Sequence, residues 1–274
     1  GGRAPYPLTP VPYPLPRVHS PAMSHDRGTS DSDWIVGFHA VLGALTAGRP
    51  VETVWLQKGR RDQRLQRLLD AARERGVATR WVPRGRLDEL AGESPHNGCA
   101  ARCGPVQLAR LEEVVAAEGR PARLLLVDDV TDPHNLGAVV RTAAGFGVDG
   151  VIIAGPSAPP LGGAAARAAA GLLGRVPLVR ATVAADALAQ LRGAGYWAFG
   201  ADPAGSPVAT VRPTDRWVLC VGAEERGLRA KTRSQLDETV RVPMAEGVES
   251  LNVSVATGIL LYHLCCLWTE AVGH

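Results

Sequence analysis

The amino-acid sequence predicts an α/β protein: a mostly parallel sheet covered on both faces, preceded by a smaller α/β unit. Three observations carry this expectation. From Arg123 onward, short near-continuous apolar runs alternate with helical stretches, as in strands buried on both faces by crossover helices. A lighter alternation of strands and helices fills residues 34–105, the pattern of a small layered sandwich. Three polar interruptions, "DPHN", "GAEERG" and "PMAEGVESLN", each follow an apolar run, and ligands bind outside the strand C-termini of such sheets.

Four segments follow in chain order. Residues 1–33 are rich in proline and then polar, cannot bury a core, and are expected to be a disordered tail. The tail lacks the apolar centre of a signal peptide, and Met23 within it is a plausible natural start. In 34–105, "GFHAVLGALTAG" has helical spacing closed by Gly48, "VETVWLQ" reads as a strand, and "QRLQRLLDAARERG" is an amphipathic helix stopped by Gly76. "VATRWVP" is a second strand, "GRLDELAG" a short helix and "NGCAARC" a final strand. Residues 106–122 form a linker with a helix of its own. From 123 to 274, strands are expected at 123–130, 150–154, 177–180, 196–200, 217–222 and 239–242. Helices are expected at 135–146, 163–174, 183–194, 227–236 and 252–270.

Composition bounds the function. The 274 residues, 46% hydrophobic and 21% charged, suit a globular chain with room for two modest domains. The net charge of +3 decides little, but Trp34 to Pro105 holds twelve Arg or Lys against seven Asp or Glu. Arginine forks suit phosphates; a solvated helix face or an Arg-rich coding bias accounts for the same run. No run approaches the ~18 apolar residues of a membrane span, so a soluble, intracellular chain is expected. Cys99 and Cys103 with His96 hint at zinc, but no second pair follows. Buried free thiols in a reducing compartment, and no metal, are the expectation. No G-x-x-x-x-G-K-S/T phosphate loop occurs.

Packing accounts for the alanines and valines of the helix after "DPHN" but not for Asn135 and Arg141. Asn135 stands where an N-cap belongs, and Arg141 is a lone cation in an apolar helix. Asp132 and His134 read as turn residues before catalytic ones. Glu224 suits a helix start, and Ser250 or Asn252 suits a cap before the last helix.

"DDVTDPHNLGAVVRTAAGFGVDGVI", "VGAEERGL" and "VRVPMAEGVESLNVSVATGILLYHL" resemble, in order, the three motifs of the SpoU group of SPOUT RNA ribose 2′-O-methyltransferases. The stretch from "IVGFHAVLGAL" to "HNGCAARC" resembles the small, ribosomal-protein-like RNA-binding domain fused to bacterial 23S rRNA guanosine 2′-O-methyltransferases. The resemblance covers about 35–270. It implies a SPOUT domain with a deep trefoil knot, a homodimer in the cytoplasm, S-adenosylmethionine as cofactor and 23S rRNA or a large-subunit precursor as partner. It also implies a catalytic set of Asn135, Arg141, Glu224, Ser250 and Asn252. Cofactor contacts would come from the backbone at Gly222, Val242, Pro243, Met244 and Leu251. Arg141 would stabilise the developing 2′-alkoxide, since a guanidinium hardly ever gives up its proton.

Three departures stand out. Glu225 occupies a place where the family often has glycine, which would strain a left-handed turn. Arg167 replaces a lysine, and Gly174 replaces a glutamate. Two alternatives remain at this point: a tRNA guanosine 2′-O-methyltransferase with the same motifs, and a non-catalytic RNA-binding protein of the same fold.

Overall fold

The computed structural model describes residues 33–47, 49–116 and 120–267. The Pro-rich tail, Gly48 and the end of the last expected helix lie outside them. The first sheet contains β1 (Asp33–Val36), β2 (Val51–Gln57), β3 (Ala78–Val82) and β4 (Cys99–Cys103) in the order β1-β4-β2-β3. β4 runs antiparallel to β1 and β2, while β2 and β3 are parallel. The strand "DWIV" was not expected; only its pairing with β4 identifies it. Helices α1 (Phe38–Thr46), α2 (Gln63–Glu74) and α3 (Arg84–Ala91) complete this unit. Asp62 caps α2 by accepting a bond from the Leu65 amide, 3.0 Å away.

His96 is engaged in the fold. Its Nδ1 accepts from the Gly98 amide at 2.9 Å, which leaves Nε2 as the protonated nitrogen facing Asp88 at 3.0 Å. The five cysteines are free thiols, and Cys99, Cys103, Cys220 and Cys265 are buried. Burial pushes the Cys99 and Cys265 thiols up to about 12.

The second sheet has six strands, β5 (Ala122–Asp128), β6 (Gly150–Ala154), β7 (Leu178–Ala181), β8 (Trp197–Pro207), β9 (Arg216–Gly222) and β10 (Glu238–Arg241). Their order is β10-β8-β9-β5-β6-β7, with every neighbour parallel. Residues 124–127, 151–153 and 217–221 are buried on both faces, which is why they read as unbroken apolar runs. Helices α4 (Leu111–Val114), α5 (Pro133–Gly145), α6 (Gly163–Ala168), α7 (Ala184–Gly193), α8 (Ala230–Arg233) and α9 (Val253–Tyr262) link or follow the strands. "GFGVDG" (145–150) spells a glycine-rich fingerprint, but it closes α5 and opens β6, the reverse of a phosphate-binding turn.

Several expected elements differ. The 163–174 helix is α6 followed by a separate turn at Leu172–Gly174, broken by positive φ at Ala170 (50°) and Gly171 (82°). The 227–236 helix shrinks to the four residues of α8, because the "GAEERG" loop takes the preceding positions. β8 continues seven residues past Gly200, to Pro207. α9 gives way to a π-helical turn at His263–Leu267.

The break at 170–171 has a packing cause. α1 of the first unit lies against it so closely that a methyl added at Gly43 would stand 2.4 Å from the Ala170 carbonyl oxygen. One added at Gly171 would stand 2.2 Å from that of Ala40, and one at Gly174 2.8 Å from that of Ala47. Gly174, one of the departures from the resembled motif, therefore belongs to the contact between units. One apolar core runs through both, from Ile35, Val41 and Leu56 to Leu125, Val139 and Leu219.

Gly171→Ala should lose about 2–4 kcal/mol in urea unfolding, since it meets both a left-handed backbone and a clash. Gly59→Ala is the control, with a φ of +80° and nothing within 4 Å of the added methyl. It should lose only about 1 kcal/mol.

Candidate active site

The site forms where β5, β9 and β10 end. Asp132 accepts from the His134 amide at 3.0 Å and caps α5, and Pro133 takes the first helical position, where a missing N–H costs nothing. Asn135 is consequently the third helical residue, not the cap. It is buried, and its amide is free to act across the loops.

Asn135 Nδ2 donates to Glu224 Oε1 at 2.7 Å, and Asn252 Nδ2 donates to the same oxygen at 2.7 Å. Asn252 Nδ2 also donates to Asn135 Oδ1 at 2.9 Å. A carboxylate only accepts, so Glu224 dictates which way both amides face. Asn252 caps α9 as well: its Oδ1 accepts from the Ser254 amide at 2.9 Å and from the Ser254 hydroxyl at 2.6 Å. Three loops far apart in sequence thus meet on one carboxylate oxygen. Glu224 is exposed, and its Oε2 has no hydrogen-bond partner among the described residues.

The Glu224 loop is held from beneath. Asp128, fully buried at the end of β5, accepts from the Arg229 amide at 3.1 Å and from Thr232 Oγ1 at 2.8 Å through Oδ2. Its Oδ1 faces Arg229 Nε at 3.9 Å, and the Arg229 guanidinium also pairs with Asp129. Gly222 lets the loop fold back on itself, since a methyl there would lie 2.1 Å from the Gly227 carbonyl carbon. Glu225 is not among the positive-φ residues, so the strain anticipated for it does not arise.

A cavity of about 300 Å³ opens beside this loop, lined by Gly222, Glu224, Val242, Met244, Ser250 and Leu251 among others. Ser250 is exposed and caps nothing. Two expected residues fall elsewhere. Pro243 is exposed and does not line the cavity. Arg141 lies on the exposed side of α5, about 120° around the axis from Asn135. It makes no hydrogen bond or ion pair among the described residues. A wider, shallow depression of about 500 Å³ lies at the opposite, N-terminal ends of β8, β9 and β10, by Trp197 and Arg216, and holds none of the motif residues. Among the described residues no group of three His, Cys, Asp or Glu is placed to hold a metal. No helix among them is long and apolar enough to cross a membrane.

The Asp128 network escaped the sequence reading. Its one signal is a carboxylate ending an otherwise apolar strand, "ARLLLVD".

Comparison with known proteins shows the family. Residues 122–262 match the SpoU rRNA Methylase family, and residues 34–109 match the RNA 2′-O ribose methyltransferase substrate binding family. The chain belongs to the SpoU methylase family, and its class is RNA 2′-O-ribose methyltransferase. A similar protein is the 23S rRNA (guanosine-2′-O-)-methyltransferase RlmB of Escherichia coli, 39% identical over 84% of this chain and 97% of its own. A tRNA/rRNA methyltransferase of Mycobacterium avium is 34% identical over 95% of this chain and 86% of its own. An AdoMet-bound rRNA methyltransferase from Sinorhizobium meliloti superimposes with a TM-score of 0.70 at 25% identity, over 85% of this chain and 86% of its own.

Asp128→Ala should cost about 3 kcal/mol in urea unfolding, because it leaves the buried Thr232 hydroxyl and the part-buried Arg229 amide without their acceptor.

Proposed function

We propose that this chain transfers a methyl group from S-adenosylmethionine to the ribose 2′-hydroxyl of a guanosine in 23S rRNA. The observation that carries the reading is the meeting of Asn135, Glu224 and Asn252 on one carboxylate oxygen at the mouth of the cavity. The cavity suits the cofactor. Val221, Val242 and Leu251 give an apolar wall for a purine, and the main-chain amides of Met244 and Leu251 bond to no other backbone group among the described residues. Gly222, Val242, Met244 and Leu251, with Pro243 only adjoining them in the chain, would hold it, and when bound it supplies an electrophilic methyl on a sulfonium.

The chain's own groups orient and stabilise. Arg141 keeps its charge and offsets the negative charge that grows on the 2′-oxygen. The free Glu224 oxygen, the Asn135 amide, the Asn252 amide and the Ser250 hydroxyl hold the ribose. Residues 34–105 supply the RNA-gripping surface, where Arg61, Arg64, Arg67, Arg80, Arg84, Arg86 and Trp81 are all exposed. Guanidinium forks fit phosphates, and an exposed indole offers a platform for an unstacked base. Residues 106–122 act as the linker to the SPOUT domain from 123 onward.

The working form is a cytoplasmic homodimer with a trefoil knot. Val255, Ile259 and Tyr262 leave an exposed apolar stripe on α9, spaced by four and three residues, which favours a partner helix. Arg141, exposed on the neighbouring helix α5, would then face RNA near the partner subunit. The knot reading draws on the path of the chain, which leaves β9 through Glu224, turns at the sheet edge in β10 and returns to Asn252.

Tritiated S-adenosylmethionine with protein-free 23S rRNA, assembled large subunits and tRNA in separate reactions tests the proposal. Label is expected in 23S rRNA at one alkali-resistant ribose; label in tRNA alone would overturn the substrate. Arg141→Ala should slow transfer about 100-fold or more and leave cofactor binding by calorimetry largely unchanged. Unaltered turnover would remove Arg141 from the catalytic set.

A further inference from the structure

The cavity beside Glu224 carries a second set of charges that methyl transfer does not use. β8 and β10 pair at Phe199 and Gly200 and then again from Ser206, so residues 201–205 bulge out of the ladder. Gly205 permits the crossing, since a methyl there would stand 2.6 Å from the Thr239 carbonyl. The bulge places Asp202 on the cavity wall, its Oδ1 fixed by the Ala204 amide at 2.9 Å. Arg233, at the end of α8, also lines the cavity, and its Nη1 lies 2.9 Å from Asp202 Oδ2. The guanidinium passes Gly227, where an added methyl would come 3.8 Å from Nη2. The rest of the wall mixes apolar residues, Val221, Val240, Val242 and Leu260 among them, with Glu225, Arg226 and Arg241.

The Asp202 side chain, only 11% exposed, gains something from a partner, but the arginine side of the pair has little structural need of it. Arg233 is 52% exposed on its side chain, where an ion pair contributes little to stability. The base of α8 is already held by Asp128 through the Arg229 amide and Thr232. Arg226 and Arg241 reach the same cavity, yet neither forms an ion pair among the described residues.

We propose that Arg233 and Asp202 bind the amino-acid end of S-adenosylmethionine, Arg233 taking the carboxylate and Asp202 the ammonium group. This rests on the cofactor reading given above. An amino-acid zwitterion presents the two charges that an Asp–Arg pair can exchange for its own contact, so neither is left bare when the cavity closes on the cofactor. The planar guanidinium matches a carboxylate through two parallel bonds, which an ammonium side chain does not.

Calorimetry on the full chain separates this role from a structural one. Three ligands are compared: S-adenosylmethionine, its decarboxylated form, and 5′-methylthioadenosine, which lacks the amino-acid end. The wild type should prefer S-adenosylmethionine to the decarboxylated form by about tenfold. Arg233→Ala should bind those two alike and leave the affinity for 5′-methylthioadenosine unchanged, and Asp202→Asn should weaken the first two ligands only. Retained discrimination in Arg233→Ala, or an equal loss for 5′-methylthioadenosine, would overturn the assignment. A wild type that binds none of the three would overturn the cofactor reading itself, together with this one.

Discussion

The carboxylate of Asp128 is the constraint on which the rest of the site depends. A charge withdrawn from water at the end of an apolar strand costs several kcal/mol unless it finds donors. Here the donors come from a segment one hundred residues later, the Arg229 amide and Thr232, backed by the Arg229 guanidinium. Meeting that need fixes the start of α8 against β5. Because Gly222 and Gly227 touch, it also fixes the loop between them, and Glu224 sits on that loop. The carboxylate that organises Asn135 and Asn252 is thus placed by another carboxylate beneath it.

Much of this was legible from the sequence, for identifiable reasons. Strands buried on both faces leave unbroken apolar runs, and polar residues interrupting them mark the sheet edge where a ligand sits. Other features depend on distant contacts that no local pattern records. Asn135 reads as a cap because it is polar and precedes an apolar run, but Asp132 caps the helix three residues earlier and Pro133 takes its first position. The alanine-rich stretch after Gly163 reads as one helix, and it breaks only because α1 presses on Ala170 and Gly171. The bulge at 201–205 is invisible before β10 is known to pair with β8, and β1 is invisible before β4 is in place.

The departures from the family pattern also find physical places. Glu225 sits on a loop without a left-handed backbone, so a side chain is tolerated there. Arg167 is exposed on α6 with no partner among the described residues. Gly174 answers to the domain contact: a residue with a side chain would push α1 away from the methyltransferase domain. A substitution judged by its distance from the reacting atoms would be placed in the wrong class, since its effect lies in how the two units seat.

That seating has a consequence of its own. Gly43, Gly171 and Gly174 bring main chain against main chain, with no side chains between to rotate or relax. The arginines of α2 and α3 and the carboxylate of Glu224 therefore stand at a set distance from each other. On the function proposed above, the chain would act as a caliper, holding the arginines that grip RNA and the site that meets the ribose at a fixed span.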